Sequence, residues 1–234
     1  MHLDLTTGRQ MTARLRWERI EGPADPGQAL AALAAEPLPA ALDSSAADSR
    51  YGRYTALACR PVETVRLIDG RLIDSAGRTL PGEDPPEALA AALRAVRAVG
   101  PAPCPYGPGW IGYVGYEFGR CLEALPGRAA RDTALPDLHL AFYDATAVHD
   151  AVEGTWRLLW LEGDDGRPDE ALAALREALE RPAAPASAAE TPDASAAASR
   201  PAAAFASNFT PAAYESAVAR CVEYIAAGDI FQVN

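Results

Sequence analysis

The sequence predicts an α+β fold, with largely antiparallel β-sheets and flanking helices, and three observations carry that expectation. Short alternating apolar segments outnumber helical ones. They are not interleaved one for one with helices, as a parallel sheet would require. The Asp69-Gly70 pair between two of them is a hairpin turn. Hydrophobic residues make up 49% of the 234-residue chain, enough for a substantial core.

Taken in order, residues 12–20 alternate polar and apolar side chains and open the sheet. Residues 26–35, rich in Ala and Leu, form a modest helix. Residues 54–59, 62–68 and 71–74 are short strands, the last two joined at Asp69-Gly70. Residues 86–99 read as one helix, with Leu89, Leu93, Val96 and Val99 on a common face. Residues 110–116, 138–143 and 156–161 are strands. Residues 168–180 are a helix with Leu172, Leu175 and Leu179 at helical spacing.

The composition then changes. Residues 181–208 are almost all Ala, Pro and Ser, too little apolar surface to offset the entropy of ordering, and read as a flexible linker. The chain therefore divides into an N-terminal domain (1–180), the linker (181–208) and a tail (209–234). The tail opens with Thr210 as N-cap and Pro211 at the first helical position, with Phe209 and Tyr214 placed as a hydrophobic staple. Tyr214, Val218, Cys221, Val222 and Ile225 share a face, and Gly228 supplies the stop. Ile230-Phe231-Gln232-Val233 alternates as the start of a strand. An apolar helix face and an unpaired strand imply a core that continues past Asn234.

Charge and composition narrow the chemistry. The net charge is −11 with scattered basic residues, which argues against a nucleic-acid or anionic-membrane surface. All 21 basic residues are arginine. Without a lysine, these residues offer no Schiff base, no phosphate-binding P-loop lysine and no amine nucleophile. Cys59, Cys104, Cys121 and Cys221 are widely spaced and read as buried free thiols of a reducing compartment. His2, His139 and His149 lack metal-ligand spacing; the last two fall in apolar alternating stretches as strand residues. No apolar run approaches the ~20 residues of a membrane span, and the N-terminus lacks a signal-peptide pattern. The expectation is a cytoplasmic protein.

Gly107, Gly109 and Gly112 spell a G-x-G-x-x-G. A dinucleotide site needs a strand before these glycines and a helix after them; here prolines precede and aromatics follow. Glycines alternating with aromatics instead suit a strand closely approached by another backbone. Glu117 and Glu123 read as structural carboxylates rather than an acid–base pair. The tail E-Y-I-A-A-G-D-I-F-Q-V-N (residues 223–234) resembles the entry into the catalytic domain of chorismate-utilising enzymes, the anthranilate and aminodeoxychorismate synthase component I family. The segment G-W-I-G-Y-V-G-Y-E-F-G-R (109–120), followed by Leu135-Pro136-Asp137-Leu138, extends the resemblance and is closer to the aminodeoxychorismate branch.

A third block, Leu42-Asp43-Ser44-Ser45 leading to Tyr51-Gly52-Arg53-Tyr54, is similar to the segment that holds tryptophan in that family. Carried over, Ser44 would bond the amino acid's polar groups, while Tyr51, Gly52, Arg53 and Tyr54 would line its pocket. A hydroxyl, an arginine and aromatic faces suit such a ligand. The other reading of this block is a polar loop feeding a strand, with Arg53 paired to Asp43 or Asp48. The resemblance implies a non-catalytic N-terminal domain of an enzyme that aminates chorismate to 4-amino-4-deoxychorismate. It also implies Mg²⁺, whose ligands would lie beyond these residues, and a glutaminase partner subunit. Anthranilate synthase component I, a stand-alone amino-acid-binding module and a glutaminase-docking module remain as alternatives.

Overall fold

The computed structural model describes residues 1–43, 52–124, 133–181 and 206–233. The chain divides into two compact units, Met1–Ala183 and Ala184–Asn234. Residues 182–205, most of the expected linker, lie outside the described residues.

The first unit contains two sheets. One has six strands: β1 (Met11–Ile20), β2 (Ala40–Leu42), β3 (Tyr54–Ala58), β6 (Val96–Val99), β9 (Ala145–Asp150) and β10 (Thr155–Glu162). Their order is β2-β3-β9-β10-β1-β6. The second sheet comprises β4 (Glu63–Ile68), β5 (Arg71–Ile73), β7 (Gly109–Val114) and β8 (Leu138–Tyr143), in the order β5-β4-β8-β7. The β1–β6 pairing is parallel and the other strand pairings are antiparallel. Together with helices α1 (Pro26–Leu33), α2 (Pro85–Arg94) and α3 (Asp169–Glu180), this is a mixed α+β fold with largely antiparallel sheets.

The period-2 geometry of a strand explains how β9 and β10, in the middle of the six-stranded sheet, are packed on both faces. Along β10, Trp156 and Leu158 pack with Leu33 of α1 and with Leu172, Leu175 and Leu179 of α3. Leu161, one residue out of phase, joins Val65, Leu67, Leu138 and Phe142 of the second sheet, in a core closed by Ala88 and Ala92 of α2. Trp156 is the largest fully buried side chain, and its indole N–H donates to the Pro23 carbonyl at 2.8 Å. Gly22 makes room for it: a Cβ there would lie 2.6 Å from Trp156 Cδ1. Asp25 and Asp84 cap α1 and α2 by accepting from the Gly27 and Glu87 amides, each ahead of a proline in the first turn.

Three expectations are corrected. The helix over 86–99 stops at Arg94, and Val96–Val99 leaves it as β6, in register with Met11–Arg14 of β1. The open edge of β1 offers backbone partners, and β-branched valine suits a strand. Accordingly α2 buries Ala88 and Ala92, Leu89 packs partly buried against the same core, and Leu93 of the expected face is exposed. Secondly, Cys59 and Cys104 are buried, but Cys121 and Cys221 are only partly so; all four are free thiols. Burial pushes the Cys59 thiol up to about 11, which leaves it unreactive near neutrality.

The third correction falls in the second unit. Its helix, α4 (Pro211–Ala227), has the expected signals: Thr210 Oγ1 accepts from the Ala213 amide at 3.2 Å, and Gly228 ends it at φ 81°. The Phe209 and Tyr214 rings meet edge-on at 6.2 Å. Ile230–Val233 form no strand, however. A strand needs a partner to satisfy its amides, and the described residues of this unit provide only the helix.

Candidate functional site

The two ends of the 44–51 segment are brought side by side. β2 pairs with β3 through Leu42 opposite Ala56, and one residue beyond, Thr55 Oγ1 donates to Asp43 Oδ1 at 2.5 Å. Asp43 is thereby fixed to the start of β3, next to Gly52, Arg53 and Tyr54. Ser44 and Tyr51 lie outside the described residues, as does Asp48.

Among the described residues Arg53 pairs with Asp150 and not with Asp43. Its Nε and Nη2 donate to Asp150 Oδ1 and Oδ2 at 3.0 and 2.8 Å, a bidentate fork, and Nη2 lies 3.4 Å from Glu153 Oε1. The antiparallel register supplies the cause: Tyr54 stands opposite Asp150, and the Ala151 amide donates to the Arg53 carbonyl at 2.8 Å. Asp150, with 1% of its side chain exposed, also accepts from the Val152 and Glu153 amides. Arg157 completes the group, donating to Glu153 Oε2 at 2.5 Å. Its Nη1 is 3.5 Å from Asp150 Oδ2, an ion-pair distance too long for a well-made hydrogen bond.

Burial on its own would raise the Asp150 pKa. The Arg53 hydrogen bonds and charge, with the two amides, outweigh it and hold the carboxyl below its ordinary value. The same fork raises Arg53.

Aromatic surface adjoins this ionic cluster. The Arg53 guanidinium carbon lies 5.0 Å from the Tyr54 ring centroid, and Tyr54 meets Tyr106 at 5.9 Å with the rings tilted by 59°. Tyr106 comes from the loop before β7, where the Cys104 thiol donates to the Tyr106 carbonyl at 3.2 Å. The sequence reading missed Tyr106, Asp150 and Arg157. The last had a readable signal: a charged residue among the apolar positions of Thr155–Glu162.

The remaining motifs take structural places. Gly109–Val114 is a strand paired along β8, so the G-x-G-x-x-G cradles no phosphate. A Cβ on Gly112 would lie 2.0 Å from the His139 carbonyl oxygen, the close approach anticipated from the glycines. Glu117 pairs with Arg120 one turn on. His139 and His149 are strand residues of β8 and β9. Among the described residues no group of three or more His, Cys, Asp or Glu side chains is placed to hold a metal ion. Nor is any helix among them long and apolar enough to cross a membrane.

Known proteins similar to this chain carry the names of two synthases. Anthranilate synthase component 1 of Thermus thermophilus is 32% identical over 184 residues, covering 79% of this chain and 38% of the relative. Aminodeoxychorismate synthase component 1 of Escherichia coli is 26% identical over 207 residues, covering 82% and 40%. The chain thus spans about two fifths of the length of these curated relatives. Among solved structures, anthranilate synthase component I of Streptococcus pneumoniae has a TM-score of 0.49 at 19% identity, over 80% of this chain and 42% of that one. The family model described as chorismate binding enzyme matches residues 43–234, and the chain belongs to that family.

Proposed function

We propose that this chain is the N-terminal part of an aminodeoxychorismate synthase component I, a cytoplasmic enzyme that aminates chorismate to 4-amino-4-deoxychorismate for p-aminobenzoate and folate synthesis. Ammonia would come from a glutaminase subunit, and Mg²⁺ would be held by residues outside this chain. The observation that carries the reading is the match of residues 43–234 to chorismate binding enzymes. The Gly115-Tyr116-Glu117-Phe118-Gly119-Arg120 segment, with Leu135-Pro136-Asp137, turns it toward the aminodeoxychorismate branch. Anthranilate synthase component I is the second reading, favoured by the higher identity of the Thermus thermophilus relative.

The product decides between them. The complete protein, given chorismate, ammonia and Mg²⁺, is expected to form the 4-amino compound; a 2-amino product would establish the second reading. The 234-residue chain alone is expected to leave chorismate unconsumed, and turnover by it would overturn its assignment as a non-catalytic portion. Co-purification of a glutaminase with the complete protein tests the partner.

Within this chain the proposed role is binding of an aromatic amino acid, L-tryptophan, by Ser44, Tyr51, Gly52, Arg53 and Tyr54. A guanidinium held against an aromatic pair supports it, since these groups match a carboxylate and an indole. Calorimetry is expected to show micromolar affinity, weakened by Arg53→Ala; no heat at millimolar ligand would remove this role.

A further inference from the structure

We propose that residues 101–108 are a strap that lifts off the six-stranded sheet as a unit while both sheets stay folded. The segment carries the chain from β6, an edge strand of that sheet, to β7, an edge strand of the other. Four of its eight residues are Pro101, Pro103, Pro105 and Pro108. Proline has no amide hydrogen, and a run so rich in it is stiff and extended. The remaining amides, those of Ala102, Cys104, Tyr106 and Gly107, have no main-chain partner among the described residues. No backbone hydrogen bond therefore ties the strap to either sheet.

Side chains hold it instead. Cys104 is the one buried residue of the eight, packed with Ala56, Val148 and Leu159 of the sheet. Its thiol donates to the strap's own Tyr106 carbonyl at 3.2 Å, so the two residues travel together. The Tyr106 ring, 43% exposed, meets only the edge of the sheet, at Tyr54. Local stability follows buried apolar contacts and protected backbone hydrogen bonds, and the strap has few of the first and none of the second. Arg157 lies beneath it: burial pushes the Cys104 thiol up, and the guanidinium charge pulls against that. Nη1 of Arg157 is buried without a hydrogen-bond partner, a cost that water reaching the uncovered face removes. The strap is thus a cover whose lifting frees Tyr106 from Tyr54 and bares Arg157.

The test is pulsed labelling of the full 234-residue chain with N-ethylmaleimide, read cysteine by cysteine by mass spectrometry. Cys59, 1% exposed in the core with Leu175 and Leu179 of α3, is the reference for larger unfolding. Cys104 is expected to react at least about tenfold faster than Cys59. Its rate should hardly change in low urea while that of Cys59 climbs, because lifting the strap exposes little surface. Leu179→Ala, which weakens the core and touches no strap residue, is expected to speed Cys59 by at least about thirtyfold and leave Cys104 unchanged. Tyr106→Ala is expected to speed Cys104 by about fivefold, the worth of an aromatic pair.

Parallel urea slopes for the two thiols would mean that Cys104 is reached only by global unfolding, and would overturn the proposal. A rise of Cys104 in step with Cys59 in Leu179→Ala does the same. If that variant fails to fold, the wild-type slopes alone decide. No acceleration of Cys104 in Tyr106→Ala overturns the movement of the segment as a unit.

Discussion

Gly112 shows at the scale of one residue how much a sequence can disclose. Glycines alternating with aromatics point to a backbone approached closely, and the His139 carbonyl stands 2.0 Å from where a Cβ would be. Gly112→Ala must push β7 off β8, and is expected to cost about 3 kcal/mol, the upper end for overpacking. Gly109→Ala, with nothing within 4 Å, is the control and is expected to stay near wild type in the same urea titration. Equal midpoints for the two variants would refute the close approach. The partner of Arg53 was not legible in this way. Asp150 lies 97 residues along the chain, and only the β3–β9 register brings it within reach. Charge complementarity favours a near neighbour such as Asp43, but Asp43 is taken by the Thr55 hydroxyl.

Elements were legible where local signals sufficed and misread where two elements abut. α1, α3 and α4 follow their apolar periods, with an aspartate cap on α1 and a threonine cap on α4. At α2 the spacing of Leu89, Leu93 and Val96 is right for Leu89 and Val96, which pack partly buried, and wrong for Leu93, because the fully buried stripe is made of alanines. Small residues let the helix lie close to the second sheet, and a hydrophobicity pattern underweights them. Ala92, 4% exposed, sits in that stripe, whereas Leu93 is 46% exposed. Ala92→Leu is therefore expected to destabilise by about 1–3 kcal/mol through overpacking, and Leu93→Ala by less than about 1 kcal/mol. The opposite ranking in chemical denaturation would put Leu93 in the packed face. The same reasoning explains β6: a helical period of 3.6 accommodates Val96 and Val99, and only the free edge of β1 distinguishes strand from helix there.

For the molecule as a whole, the first unit buries titratable groups whose protonation is linked to folding. His149 is 6% exposed, beside Trp156 at 4.9 Å, and burial holds its pKa below 6.5 against a partial upward pull from Asp150. His139 is lowered by its burial and by the Arg66 charge. A folded-state pKa below the unfolded value means that the unfolded chain takes up protons first as the pH falls. Stability is therefore complete above the unfolded value of 6.5 and is lost as the pH drops from there through the folded values. Near 3.8 the carboxylates enter with opposite signs. Asp150, held low by Arg53, adds to the loss, while Asp144, raised by burial, works against it. Between about pH 6.5 and pH 5 the histidines therefore act toward loss of stability, while any early proton uptake by Asp144 acts against it. Urea midpoints followed by tryptophan fluorescence are expected to fall across that interval in the wild type. The slope should flatten in a His139→Gln/His149→Gln double variant, whatever its overall stability. A slope that survives both substitutions would mean that the two imidazoles are not what couples folding to acid in this range.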